Sequence, residues 1–168
     1  MTPEFSRFID ARHIDERPHA IAADEAERAA LARRFGIVAI ARLKAELRFE
    51  RQGDAIVAAG RLEAGLVQSC AVSGEPLTTR IDEPLALRFV HARESSEEEI
   101  ELVADDCDEI EYDGHSFDLG EAVAQSLALA IDPYAEGPEA EATRAKAGLL
   151  SEDAAGPFAA LAALRKPN

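Results

Sequence analysis

Residues Leu43–Arg51, LKAELRFER, alternate apolar and charged side chains without a break. Leu43, Ala45, Leu47 and Phe49 fall on one side, and Lys44, Glu46, Arg48 and Glu50 on the other. A period of two is that of a half-buried strand. A chain with this pattern must cover one face of a sheet and leave the other to water. Arg51-Gln52-Gly53-Asp54 supplies a turn, and Ala55–Val67 returns as a second strand. Its apolar register is disturbed at Gly60, where a bulge or bend is expected. Leu77–Ile81 and Leu85–Val90 read as further strand segments, interrupted by Asp82-Glu83-Pro84. Glu109-Ile110-Glu111-Tyr112 reads as a short edge strand. The expected sheet is antiparallel and runs over residues 43–112.

Two helices are available to cover it. Asp24 followed by Glu27 is a capping-box pattern opening a helix over residues 24–35, and Gly36 stands where helices stop in the left-handed conformation. Asp118 and Glu121 repeat the pattern ahead of a helix over 118–131, with Val123, Leu127 and Ile131 spaced by four and Pro133 closing it. The expected fold class is therefore α+β, with both helices packed on the sheet. The organisation expected is one domain over 1–134 with an extended N-terminal arm, an Ala/Glu/Gly-rich linker over 135–156 with at most weak helix, and a tail over 157–168. In the tail Phe158, Leu161 and Leu164 share one face and Pro157 suits a first helical turn. It reads as a docking element, onto its own core or onto a partner.

Charge divides the chain. Residues 1–90 carry 13 basic and 14 acidic side chains, whereas 91–168 carry 5 and 19, so nearly all of the net −15 lies in the second half. ESSEEEIELVADDCDEIEYD holds 11 acidic residues in 20 and no basic one. A uniformly acidic protein is repelled by a phosphate backbone. A chain neutral at one end and acidic at the other can present a local basic face, or serve as an adaptor for a basic protein. Aromatics are only 5% and tryptophan is absent, so base stacking is poorly provided for. There is no long apolar run and no signal-peptide core at the N-terminus, and a cytoplasmic protein without membrane or DNA contact is expected.

Catalytic patterns fail one by one. Gly114-His115-Ser116-Phe117-Asp118 resembles a nucleophile elbow but has Asp118 where the closing glycine belongs. A calcium loop starting at Asp106 has Asp108 at its third position but Ile110 at its fifth, where an oxygen ligand is needed. Cys70, His91, Cys107 and His115 are zinc-ligand types, yet no two lie two to four residues apart, and serine is a poor ligand where Ser73 would complete a Cys70-x-x-Cys knuckle. No phosphate-cradling glycine loop or dinucleotide fingerprint is present. A non-enzyme without cofactor or metal is expected. For RNA the usable cations are Arg42, Lys44 and Arg48 on the first strand and Arg61, Arg80 and Arg88 on its neighbours, although Glu46 and Glu50 share that face.

The order of several stretches carries a resemblance. PEFSR, the capped EAERAALARRFGI, the alternating hairpin, GRLEAGLVQSCAVSGEPL and RIDEPLALRF are followed by an acidic insertion, FDLGEAVAQSLALAIDPY and the tail GPFAALAALRK. Together they resemble the YceD family of large ribosomal RNA subunit accumulation proteins, in an alphaproteobacterial form, over nearly the whole chain. The resemblance implies a role in the synthesis, processing or stability of 23S rRNA and in large-subunit assembly, with rRNA, a pre-50S particle or a basic ribosomal or assembly protein as partner. It supplies no catalytic residues. Family members often carry Cys-x-x-Cys where this chain has Cys70 and Ser73, and some carry a second cysteine cluster near the C-terminus. Residues 135–168 here contain no cysteine, which argues against zinc. Two other readings stand beside the assembly factor. An acidic adaptor would work through Glu97, Glu98 and Glu99 and through the Pro157, Phe158 and Leu161 tail. A metal-binding regulator would retain the role of the four-cysteine relatives.

Overall fold

The computed structural model describes residues 3–92 and 109–148. The chain order is β1 (Phe8–Asp10), a 3-10 turn (Ala11–His13), β2 (His19–Ala22), α1 (Glu25–Phe35), β3 (Ala39–Gln52), β4 (Ala55–Ser69), β5 (Pro76–His91), β6 (Glu109–Tyr112), β7 (Ser116–Asp118), α2 (Leu119–Ala130) and α3 (Ala140–Lys146). The class is α+β. Two compact units are distinguished. The first holds the chain up to Gln68 together with Thr78–Asp132, and the second combines Ser69–Leu77 with the chain from Pro133.

In the first unit β2-β3-β4-β5-β6 form one sheet in that order, and β1 pairs with β7 in a separate two-stranded ribbon. The alternation of LKAELRFER is realised: Leu43, Ala45, Leu47 and Phe49 are all buried. Gly53, with φ 62°, turns the chain between β3 and β4, and pairing runs outward from Gln52↔Ala55. The helices contribute to the same core: Leu31 and Ala32 from α1, and Leu119, Val123, Ala124 and Leu127 from α2. Phe117 on β7 stacks on Phe89 at 4.0 Å and meets Phe49 and Tyr112 at 5.8 and 5.7 Å.

Four expectations are corrected. The sheet begins at His19 rather than at residue 43, because the polar N-terminal stretch supplies β2 as an edge strand on β3. The sheet is not wholly antiparallel: β6 runs parallel to β5, with Arg88 opposite Glu109 and His91 opposite Tyr112. The sixteen residues between Ala92 and Glu109 are long enough to carry the chain back alongside itself, which a parallel pair requires. Asp82-Glu83-Pro84 does not interrupt β5, which is continuous from Pro76 to His91. The β3–β4 register irregularity lies between Ile40 and Arg42, and the ladder passes Gly60 without slipping. Apart from these, Ala140–Lys146 form the short helix α3.

The N-terminal cap of α1 is a complete capping box, in which Asp24 accepts from the Glu27 amide and Glu27 accepts from the Asp24 amide, each at 2.8 Å. The α2 cap is only half of one. Asp118 accepts from the Glu121 amide at 3.2 Å, but Glu121 turns away to a bidentate pair with Arg34 at 2.7 and 2.9 Å. Asp118 instead spends its remaining lone pairs on the arm, accepting from the Ser6 hydroxyl and from the Arg7 amide at 2.7 Å. Arg7 itself is bidentate to Glu27 at 2.7 and 2.9 Å, and Phe5 is fully buried. The arm is a strap over both helices.

Candidate functional site

The parity of each strand decides which side chains share a surface. Residues of even number on β3 and β5 and odd number on β4 point away from the core, since Leu43 and Leu47, Ile81 and Phe89, and Leu62 and Leu66 are the buried ones. Arg42, Lys44, Arg48, Arg61, Arg80 and Arg88 all have the outward parity. The fold therefore brings the six cations together on one open face of the first unit.

That face is an ordered charge lattice. Lys44 lies opposite Glu63 and Glu46 opposite Arg61 in the β3–β4 register. Glu63 pairs with Lys44 at 2.7 Å and Arg42 at 3.4 Å, and Asp82 on β5 pairs with Arg61 at 2.5 Å and Arg80 at 3.7 Å. Farther along, Arg88 pairs with Glu109 of β6 at 3.0 Å. Arg48 has no recorded ion pair among the described residues. Glu63 is held below the usual carboxylate range chiefly by its bond to Lys44, and Asp82 likewise by Arg61. Beside the lattice, the small outward side chains Ala20 and Ala22 of β2 leave a trough of about 310 Å³, edged by Lys44, Glu46, Arg61 and Glu63.

Sequence reasoning located the cations but missed Glu63 and Asp82, which organise them. Counting outward from the Gly53 turn pairs Lys44 with Glu63 and Glu46 with Arg61, so half of the lattice was readable. In the sequence Asp82 reads as a strand break because it precedes Glu83-Pro84, and its role needs the β4–β5 pairing.

The second unit contains Cys70, which is buried at 4% exposure. Its sulfur accepts from the amides of Ser73 at 3.4 Å and Gly137 at 3.3 Å, and the turn closes through Gly74 N–H to the Cys70 carbonyl at 2.9 Å. The Gly137 amide first, the Ser73 hydroxyl next and then the Ser73 and Val72 amides hold the thiol down to about 6, whereas burial opposes the shift. Ser73 thus serves the turn as a donor to sulfur. In a Cys107→Ser background the thiolate absorbance of the folded protein is expected to titrate near pH 6, against about 8.5 for a free cysteine. A folded value below the unfolded one means stability present above the unfolded pKa and lost as pH falls through about 6. A thermal midpoint that declines from pH 9 towards 6, and does so less in Cys70→Ser, is the accompanying readout.

His91 and His115 lie in the first unit and Cys70 in the second, while Cys107 is outside the described residues. The His91 ring nitrogens face the carbonyls of Ala92 and Gly114, each at 3.1 Å. Among the described residues no group of three or more His, Cys, Asp or Glu side chains is placed to hold a metal ion. Ser116 is a strand residue of β7 opposite Asp10, not an elbow nucleophile. Asp106, Asp108, Glu97, Glu98 and Glu99, and the tail with Pro157, Phe158 and Leu161, lie outside the described residues.

Fold and surface together define an α+β protein whose distinguishing surface is an open, charge-ordered sheet face. The family model described as Large ribosomal RNA subunit accumulation protein YceD matches residues 58–165. The chain belongs to the YceD family, and a role in accumulation of the large ribosomal RNA subunit follows from that description. Searches of the curated proteins and of the solved structures each found no match. No helix among the described residues is long and apolar enough to cross a membrane.

Proposed function

We propose that this protein is a non-enzymatic cytoplasmic factor that supports accumulation of 23S rRNA and assembly of the large ribosomal subunit, acting by binding. The observation that carries the reading is the family match over residues 58–165, which spans most of β4 and all of β5 and so includes Arg61, Arg80 and Arg88 of the charged face. The face supplies what such a role needs: cations on rigid strands, of which Arg42, Lys44, Arg61, Arg80 and Arg88 are each held in position by a neighbouring carboxylate.

Sedimentation of cell extract tests it. The protein is expected to travel with large-subunit precursors, and Lys44→Glu/Arg48→Glu is expected to shift it towards the free fraction. Wild-type protein found only at the top of the gradient, including in cells with stalled assembly, would sink the reading.

The charge asymmetry favours one alternative, an acidic adaptor that recruits a basic ribosomal protein through Glu97, Glu98 and Glu99. In that case Glu97→Gln/Glu98→Gln/Glu99→Gln detaches the protein from precursors and the sheet-face reversals do not.

A further inference from the structure

We infer that the outward face of β2–β5 receives double-helical RNA, gripped through its phosphodiester backbone. The inference rests on the proposed role with 23S rRNA and adds which form of RNA is held, and where.

The chemistry of the face selects the ligand. Arg42, Lys44, Arg61 and Arg80 are gathered around Glu63 and Asp82, with Glu46 opposite Arg61 in the register, so four cations share three carboxylates. All four cations sit in surface ion pairs. Such pairs contribute only about 0–1 kcal/mol, so a phosphate displaces a carboxylate at little cost while the strands keep the cations in place. Neighbouring strands are about 4.8 Å apart, and β3, β4 and β5 therefore spread the cations over about 10 Å, the span of two or three phosphates.

What lies between the cations excludes the usual mode for single strands. The outward positions nearby are small, Ala20, Ala22, Ala59, Gly65 and Thr78 among them, and the aromatic rings Phe49, Phe89 and Phe117 are buried on the other side. Unpaired bases are held by stacking on aromatic rings, and none faces outward here. A-form duplexes are instead recognised by shape, phosphates and 2′-hydroxyls. The trough over Ala20 and Ala22 has Glu46 and Glu63 at its edge. Their carboxylates accept hydrogen bonds from 2′-hydroxyls, donors that DNA lacks.

Fluorescence anisotropy on the full-length protein at low salt tests this with a mixed-sequence RNA duplex, one of its strands alone, and a DNA duplex of the same sequence. The RNA duplex is expected to bind at least about fivefold tighter than either competitor. The slope of log affinity against log salt is expected to be about −2, as two or three phosphate contacts require. Arg61→Gln/Arg80→Gln should weaken duplex binding about tenfold, whereas Glu63→Gln/Asp82→Asn, which frees cations, should tighten it, with circular dichroism confirming that both variants fold. Preference for the single strand or for DNA, or an affinity unmoved by either pair of substitutions, overturns the inference. Sedimentation separates this from the broader role. Wild-type protein that travels with precursors yet fails the anisotropy arms loses the duplex assignment alone, and protein absent from precursors loses the role as well.

Discussion

Gly60→Ala is expected to cost about 3 kcal/mol or more in denaturant unfolding, far above what a surface glycine in a strand normally costs. A Cβ built on Gly60 lies 1.9 Å from the Glu46 carbonyl oxygen and 2.8 Å from the Leu47 Cα. Both are backbone atoms of the facing strand, so no side chain can swing away to make room. β3 and β4 must separate locally, which strains ladder hydrogen bonds worth about 1 kcal/mol each and shifts Leu47, a fully buried core residue. Gly65→Ala on the same strand is the control. There the added Cβ would make ordinary contact with Ala41 at 3.9 Å, and a change within about 0.5 kcal/mol is expected. If the two substitutions cost the same, the close approach at Gly60 is not what that glycine is for.

Gly60 also shows where reading from sequence stops. Its break in the apolar pattern was visible, but a bulge and a close backbone approach leave the same mark, and only the facing strand distinguishes them. Local periodicity was enough for β3, β4 and the two long helices, because each carries its own repeat and its own cap. It was insufficient for β1, β2 and β7, strands of three or four residues that exist because a partner strand completes them. Direction was hidden too: the parallel pairing of β6 leaves no trace in EIEY itself and was foreshadowed only by the length of the connection before it. On the charged face, strand parity alone placed Arg42, Lys44 and Arg48 together. The convergence of Arg61 and Arg80 on Asp82 depended on a pairing two strands away.

Asp118 was legible as a helix cap and illegible as the anchor of the N-terminal strap. Asp118→Ala is expected to destabilise the protein by about 2–4 kcal/mol, more than the ~1 kcal/mol of an ordinary cap. The excess comes from the arm. The Arg7 amide, 2.7 Å from Asp118, would lose its acceptor in a half-buried setting, and the Ser6 hydroxyl would lose its partner as well. The neighbouring contacts depend on the same placement: Leu119 N–H donates to the Arg7 carbonyl at 2.9 Å, and Phe5 is buried. Asp118→Asn retains one carbonyl oxygen for either the cap or the arm and should lose roughly half as much. Hydrogen exchange tells strap from cap. In Asp118→Ala the amides of Arg7 and Leu119 should exchange through a local opening, well before the β3 and β4 amides that report global unfolding. Uniform loss of protection across the sheet would mean that Asp118 acts through α2 alone. Loss confined to the arm would show that the first residues of the chain are held by a side chain more than a hundred positions away.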